Sequence, residues 1–161
     1  MRRFIVPTLV CLVSAGCSDA DASPDRLSET AVAGQELPTI LVYKTPTCGC
    51  CVGWIEHLEA AGFTVDARDV SDIMSVKRDG GVPVQMSSCH TALVDGYVVE
   101  GHVPAEQIQR LLAERPEVAG IAVPGMPTGS PGMEGAGASP YEVLSFTHSG
   151  EAAVYAEVDP R

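Results

Sequence analysis

Three cysteines fall within four positions, Cys48, Cys50 and Cys51, directly after a β-rich run that ends at Pro46. That junction constrains the fold more than any other stretch of the chain. Residues 39–45, TILVYKT, read as a short buried strand. From Gly49 to Ala61 the apolar residues Val52, Ile55 and Leu58 recur at helical spacing, and Gly62 supplies a C-terminal stop. A strand that passes directly into a helix sets the cysteines at the helix N-terminus. Unpaired N–H groups and the macrodipole there favour thiolate over thiol. Thiolate is the species that both redox exchange and soft-metal binding require.

The rest of the chain continues the alternation. Residues 63–70, FTVDARDV, read as a second strand, and Ser71 caps a short helix through Arg78 that Gly80-Gly81 closes. TALVDGYVVEGHV predicts two strands turning at Asp95-Gly96. Pro104 opens a helix with Ile108, Leu111 and Leu112 on one face, and Pro116 ends it. The order β-α-β-α-β-β-α predicts an α/β fold, a thioredoxin/glutaredoxin-like sheet with flanking helices. Residues 120–140, GIAVPGMPTGSPGMEGAGASP, form a Gly/Pro/Met-rich loop too long for a plain connector. YEVLSFT and AAVYAEV, separated by residues 148–151, give a C-terminal β-hairpin.

At 161 residues the chain suits one domain with one core. Its formal charge of −11, with no basic cluster, argues against nucleic acid or an anionic lipid surface and is compatible with holding a cation. The N-terminus reads as an address. MRR followed by FIVPTLVCLVSAG has the charged and apolar regions of a signal peptide over residues 1–16. Cys17 after Ser14-Ala15-Gly16 resembles a lipobox, which makes it a candidate lipidated first residue; cleavage after Ala20-Asp21-Ala22 is the rival. Residues 17–37 then form a flexible tether, and residues 38–158 the domain. Either cleavage places the protein in the periplasm or cell envelope. No apolar run reaches the roughly 18 residues of a membrane span.

Export makes the cysteine count informative. Cys11 lies in the leader and Cys17 at its boundary, so the domain keeps Cys48, Cys50, Cys51 and Cys89. Exported cysteines usually pair, yet three in four positions make a poor framework for stapling distant loops. Cys48 and Cys51 have C-x-x-C spacing, which suits thiol–disulfide exchange, but a third adjacent thiol invites shuffling. C-x-C and C-x-x-C loops bend sulfurs toward one point, which suits a metal. Cys89, at the entry to the TALVDG strand, is expected to approach this loop, while His90 faces the opposite side if the chain there is regular. Met126 and Met133 lie in a loop with little else apolar, where a thioether suits Cu(I) or packs over the domain's end. His57 reads as solvated, His102 as a strand-end hydrogen-bonding residue and His148 as a turn residue. The carboxylates are dispersed, and no nucleophile elbow, P-loop or G-x-G-x-x-G occurs.

The strings YKTPTCGCCVGWIEHLEAAGF, SSCHTALVDGYVVEGHVPAEQIQRLL and AVPGMPTGSPGMEG together resemble the bacterial family known as domain of unknown function 411. The resemblance covers residues 38–158. It implies an exported, copper-associated metal-binding protein whose presumed ligands are Cys48, Cys50, Cys51, Cys89 and His90, with the Met126 and Met133 loop in the same signature. The expected cargo is Cu(I), with zinc as the alternative, held for sequestration or delivery without turnover. The expected partners are the metal ion and another copper protein of the cell envelope. Two alternatives stay open: a thiol–disulfide oxidoreductase using Cys48 and Cys51, and a disulfide-stapled adaptor.

Overall fold

A computed structural model describes residues 36–161, all within one compact unit. The leader, Cys11, Cys17 and the tether up to residue 35 lie outside the described residues. The chain forms β1 (Ile40–Lys44), α1 (Gly49–Ala60), β2 (Val65–Asp69) and α2 (Ile73–Asp79). A 3-10 turn (Val84–Met86) leads to β3 (Thr91–Val94), β4 (Tyr97–Glu100) and α3 (Ala105–Glu114). Strands β5 (Gly120–Ala122), β6 (Tyr141–Phe146) and β7 (Ala152–Val158) follow. The result is a mixed α/β fold whose single seven-stranded sheet runs β2-β1-β3-β4-β5-β6-β7. Among the described residues no helix is long and apolar enough to cross a membrane.

Three expectations about local structure need correction. Residues 120–140 are not loop throughout, because Gly120–Ala122 forms β5 between β4 and β6. Gly120 fits there because a Cβ would fall 2.0 Å from the Val98 carbonyl oxygen. The short helix is capped by Asp72, not Ser71: the Asp72 carboxylate accepts from the Ser75 amide at 3.1 Å. The buried stripe of α1 also shifts by one position. Cys51, Trp54 and Leu58 face inward, and Val52 stands 46% exposed. Spacings of three and four carry that stripe, and it turns a cysteine into the interior.

Alternation along β4 divides the apolar residues between the two sides of the sheet. Val99 joins Trp54, Leu58, Ile108 and Leu111 in the larger cluster, where α1 and α3 pack. Val98 joins Val82, Met86 and Phe146 in the smaller one. The sheet register brings Tyr43, Thr91, Glu100 and Ala122 into one row across β1, β3, β4 and β5. Just beyond that row lie the exit from β1, the entry to β3 and the exits from β4 and β5. Four loops therefore converge at one end of the sheet.

Candidate metal centre

Cys48 is the N-cap of α1, with extended backbone and no side-chain cap bond, so the first turn presents its amides uncapped. Cys50 and Cys51 occupy that first turn. The Sγ atoms of Cys48, Cys50, Cys51 and Cys89 all lie within 4.8 Å of one another. Cys48 and Cys51 are joined as a disulfide, while Cys50 and Cys89 are free thiols. Cys50 Sγ lies 3.6 Å from Cys48 Sγ and 3.9 Å from Cys89 Sγ, and Cys51 Sγ lies 3.6 Å from Cys89 Sγ. The sequence expectation that Cys89 approaches the loop is thus met in the geometry.

Two imidazoles complete the cluster, and one of them was not expected. Cys89, His90 and His102 also offer ligand atoms within 4.8 Å of one another. His102 Nδ1 lies 2.7 Å from the Pro131 carbonyl oxygen. A carbonyl only accepts, so Nδ1 carries the proton and Nε2 turns its lone pair to Cys89 Sγ, 2.9 Å away. The strand-end hydrogen bond expected of His102 is present, and it orients the ring as a potential ligand. His90 Nδ1 lies 3.2 Å from the same sulfur. A single S–H proton serves one imidazole only, so His90 donates from Nδ1 and its Nε2 is left buried without a partner. An unpartnered buried lone pair costs about 1–3 kcal/mol.

His90 does not point away from the cysteines. Cys89 is at a bend and β3 begins only at Thr91, so strand alternation does not apply at position 90. The ring packs against Trp54, with centroids 4.2 Å apart, and lies edge-on to His102 at 5.0 Å. Trp54 is itself fixed by donating from Nε1 to the Val103 carbonyl at 2.8 Å. Burial, followed by the neighbouring His102 and Lys77, holds His90 well below the usual histidine range. Burial lowers His102 as well. Burial and the adjacent Cys50 push the Cys89 thiol up to about 12. Neutral imidazoles are what metal ligation uses, while Cys89 needs a cation to become thiolate.

The methionine loop is anchored over α1. A Cβ on Gly132 would fall 2.5 Å from the Cys50 carbonyl oxygen and 2.6 Å from the Trp54 amide nitrogen. Backbone lies directly on backbone at this point, beside the cysteines. Met133, next in the chain, is half-buried and its amide donates to the Ser130 carbonyl at 2.8 Å. Met126 is 51% exposed. His57 is not simply solvated: its Nε2 accepts from the Ala105 amide at 3.0 Å and so caps α3.

The family model described as "Protein of unknown function, DUF411" matches residues 86–133, which include Cys89, His90, His102, Met126 and Met133. Two solved structures titled copper resistance protein copG are similar to this chain. Form 2 is 50% identical, covers 76% of this chain and 99% of its own, and superposes with a TM-score of 0.73. Form 1 is also 50% identical, covering 76% and 98%, with a TM-score of 0.72. No curated protein matches.

Proposed function

The chain belongs to the family described as protein of unknown function DUF411, and from that premise we propose that it is an envelope copper protein that holds Cu(I) for sequestration or delivery. The donors are Cys48, Cys50, Cys51 and Cys89, with His90 and His102 behind Cys89. The observation that carries this reading is the convergence of four sulfurs within 4.8 Å from two separate segments of the chain. Thiolate sulfur is the donor that selects Cu(I) over harder ions, with zinc the main competitor. The copper resistance titles of the similar structures favour copper. An external dithiol reductant that gives two electrons and two protons to the Cys48–Cys51 disulfide, and is itself oxidised to a disulfide, supplies the two further thiols, so the reduced protein is the binding form. Met126 and Met133 complete the proposal as thioether donors in the loop seated over α1. The core from β1 to α3 is read as thioredoxin-like, which the position of Cys48 and Cys51 at the N-terminus of α1, directly after β1, supports. Export, with lipid attachment at Cys17, remains the reading of the leader.

Anaerobic titration of the reduced protein with Cu(I), against a chromophoric chelator, tests this. The wild type is expected to withdraw copper from the chelator. Cys50→Ser and Cys89→Ser are each expected to lose more than the roughly 10–100-fold that removal of an outer hydrogen-bonding partner costs. Copper left entirely with the chelator would exclude the reading.

The Cys48–Cys51 disulfide specifically favours a second reading, thiol–disulfide exchange. That reading predicts disulfide reductase turnover that disappears in Cys48→Ser and survives Met126→Leu. The stapled-adaptor reading is not favoured, because Cys50 and Cys89 stay unpaired.

A further inference from the structure

The cysteine and histidine cluster is served by a polar group that its donor chemistry does not require. Lys77 on α2 and Glu100 at the end of β4 form an ion pair with side chains 4% and 0% exposed. Glu100 Oε1 accepts from Lys77 Nζ at 2.5 Å and from the Ser88 amide at 2.6 Å. Its Oε2 accepts from Thr91 Oγ1 at 2.7 Å, and Lys77 Nζ also donates to Thr91 Oγ1 at 3.1 Å. A buried ion pair is a weak source of stability, since an apolar pair of similar volume often serves as well or better. Stability alone therefore does not account for a carboxylate at this position.

Its contacts do. Ser88 and Thr91 bracket Cys89 and His90, and Glu100 grips both. The same four-residue segment is tied at two further points: Ser88 Oγ donates to the Gly125 carbonyl, and the Gly101 amide donates to the His90 carbonyl at 3.1 Å. The approach is close enough that a Cβ on Gly101 would fall 2.5 Å from Ser88 Cβ. We propose that Glu100, paired with Lys77, is the positioning residue that fixes Cys89 and His90 toward the α1 cysteines. It holds an irregular segment that has no strand ladder of its own. This rests on the reading of Cys89 and His90 as copper donors.

The test compares two double variants that both abolish the ion pair. Lys77→Met/Glu100→Gln keeps a carbonyl oxygen for the Ser88 amide, whereas Lys77→Met/Glu100→Leu removes it. Each is measured for Cu(I) retention by chelator competition in the reduced state, and separately for urea unfolding. The glutamine variant is expected to hold Cu(I) as the wild type does. The leucine variant is expected to lose about 10–100-fold in affinity, the cost of an outer partner. A purely structural role would move the urea midpoint and leave the affinity of the folded protein unchanged; that result overturns the proposal. Should the leucine variant not fold, Thr91→Val leaves the ion pair and cuts one of the two anchors. It is expected to lose affinity at the lower end of that range, and wild-type affinity in it overturns the proposal. If the wild type itself holds no Cu(I), the donor assignment falls first and takes the positioning role with it. Wild-type binding with unaffected variants removes the positioning role alone.

Discussion

Gly132→Ala tests whether the methionine loop belongs to the site. Gly132 has φ +80°, and its missing Cβ faces the Cys50 carbonyl oxygen at 2.5 Å and the Trp54 amide at 2.6 Å. Left-handed backbone costs an alanine about 1–2 kcal/mol. The contacts are with helix backbone, which has no rotamer to yield, so overpacking adds about 1–3 kcal/mol. The sum is a destabilisation of about 2–5 kcal/mol, which for a domain of this size, at about 3–5 °C per kcal/mol, lowers Tm by roughly 6–25 °C. Urea unfolding of the reduced, metal-free protein reads it as a lower midpoint at unchanged slope.

The same substitution should reach the metal. Pro131, the preceding residue, accepts the His102 Nδ1–H, so lifting Gly132 from α1 releases the ring that faces Cys89. Cu(I) affinity should then fall by about 10–100-fold, as for other outer partners. Gly135→Ala is the control, because its Cβ would meet only Thr128 Cγ2 at 3.8 Å. That variant should stay within about 0.5 kcal/mol of wild type. If Gly132→Ala matches the control in both assays, the loop is not seated on α1 and the argument fails.

Three further outcomes follow from the buried groups. With His90 held low, the folded metal-free protein stays unprotonated where the unfolded chain takes up a proton, near pH 6.5. Stability is thus fully present above pH 6.5 and falls below it, by about 1.4 kcal/mol per pH unit from His90 alone; urea midpoints that stay flat from pH 7 to 5.5 would contradict this. Lys77→Met alone leaves Glu100 buried and unpaired, and should cost about 3–5 kcal/mol, most of it recovered by adding Glu100→Leu in the same unfolding assay. Cys89, pushed up to about 12, should react slowly with iodoacetamide at pH 8 in the metal-free protein, as followed by mass spectrometry; labelling at the rate of an unhindered thiol would refute its burial as a neutral thiol.

Much of the fold was legible because the punctuation is local. Asp95-Gly96 fixes the β3–β4 turn, with both residues at positive φ, and Gly62 follows α1 at φ +92°. β5 was not legible: three residues are too few for a period, and Gly120 reads as loop until the Val98 backbone is seen against it. The buried stripe of α1 was misplaced at its first two positions because Val52, Ile55 and Leu58 offer an apolar spacing of three, whereas Cys51, Trp54 and Leu58 are the residues that face the sheet. Cys48, Cys50, Cys51 and Cys89 were found because their residue type is rare and their spacing dense. His90 was located only through the family resemblance, since its orientation depends on the bend at Cys89.

His102 marks the difference between reading a motif and reading a register. The β3–β4 hairpin pairs Thr91 with Glu100, and continuing that register two residues outward brings Cys89 opposite His102. One bond lies beyond the ladder, from the Gly101 amide to the His90 carbonyl, so the two segments stay side by side although neither is strand there. Once the turn is placed at Asp95-Gly96, the position facing Cys89 is therefore determined. The same register aligns Tyr43, Thr91, Glu100 and Ala122, so the loops leaving β1, β4 and β5 and the segment entering β3 reach one end of the sheet together. Three cysteines from the β1 exit, Cys89 and His90 from the segment entering β3, His102 from the β4 exit and the Pro131 carbonyl from the β5 exit then meet at that end. On this account the metal centre is a property of strand order: a variant hairpin with one residue inserted at Asp95-Gly96 should retain every donor in sequence, yet lose His102 from the cluster and weaken Cu(I) binding with it.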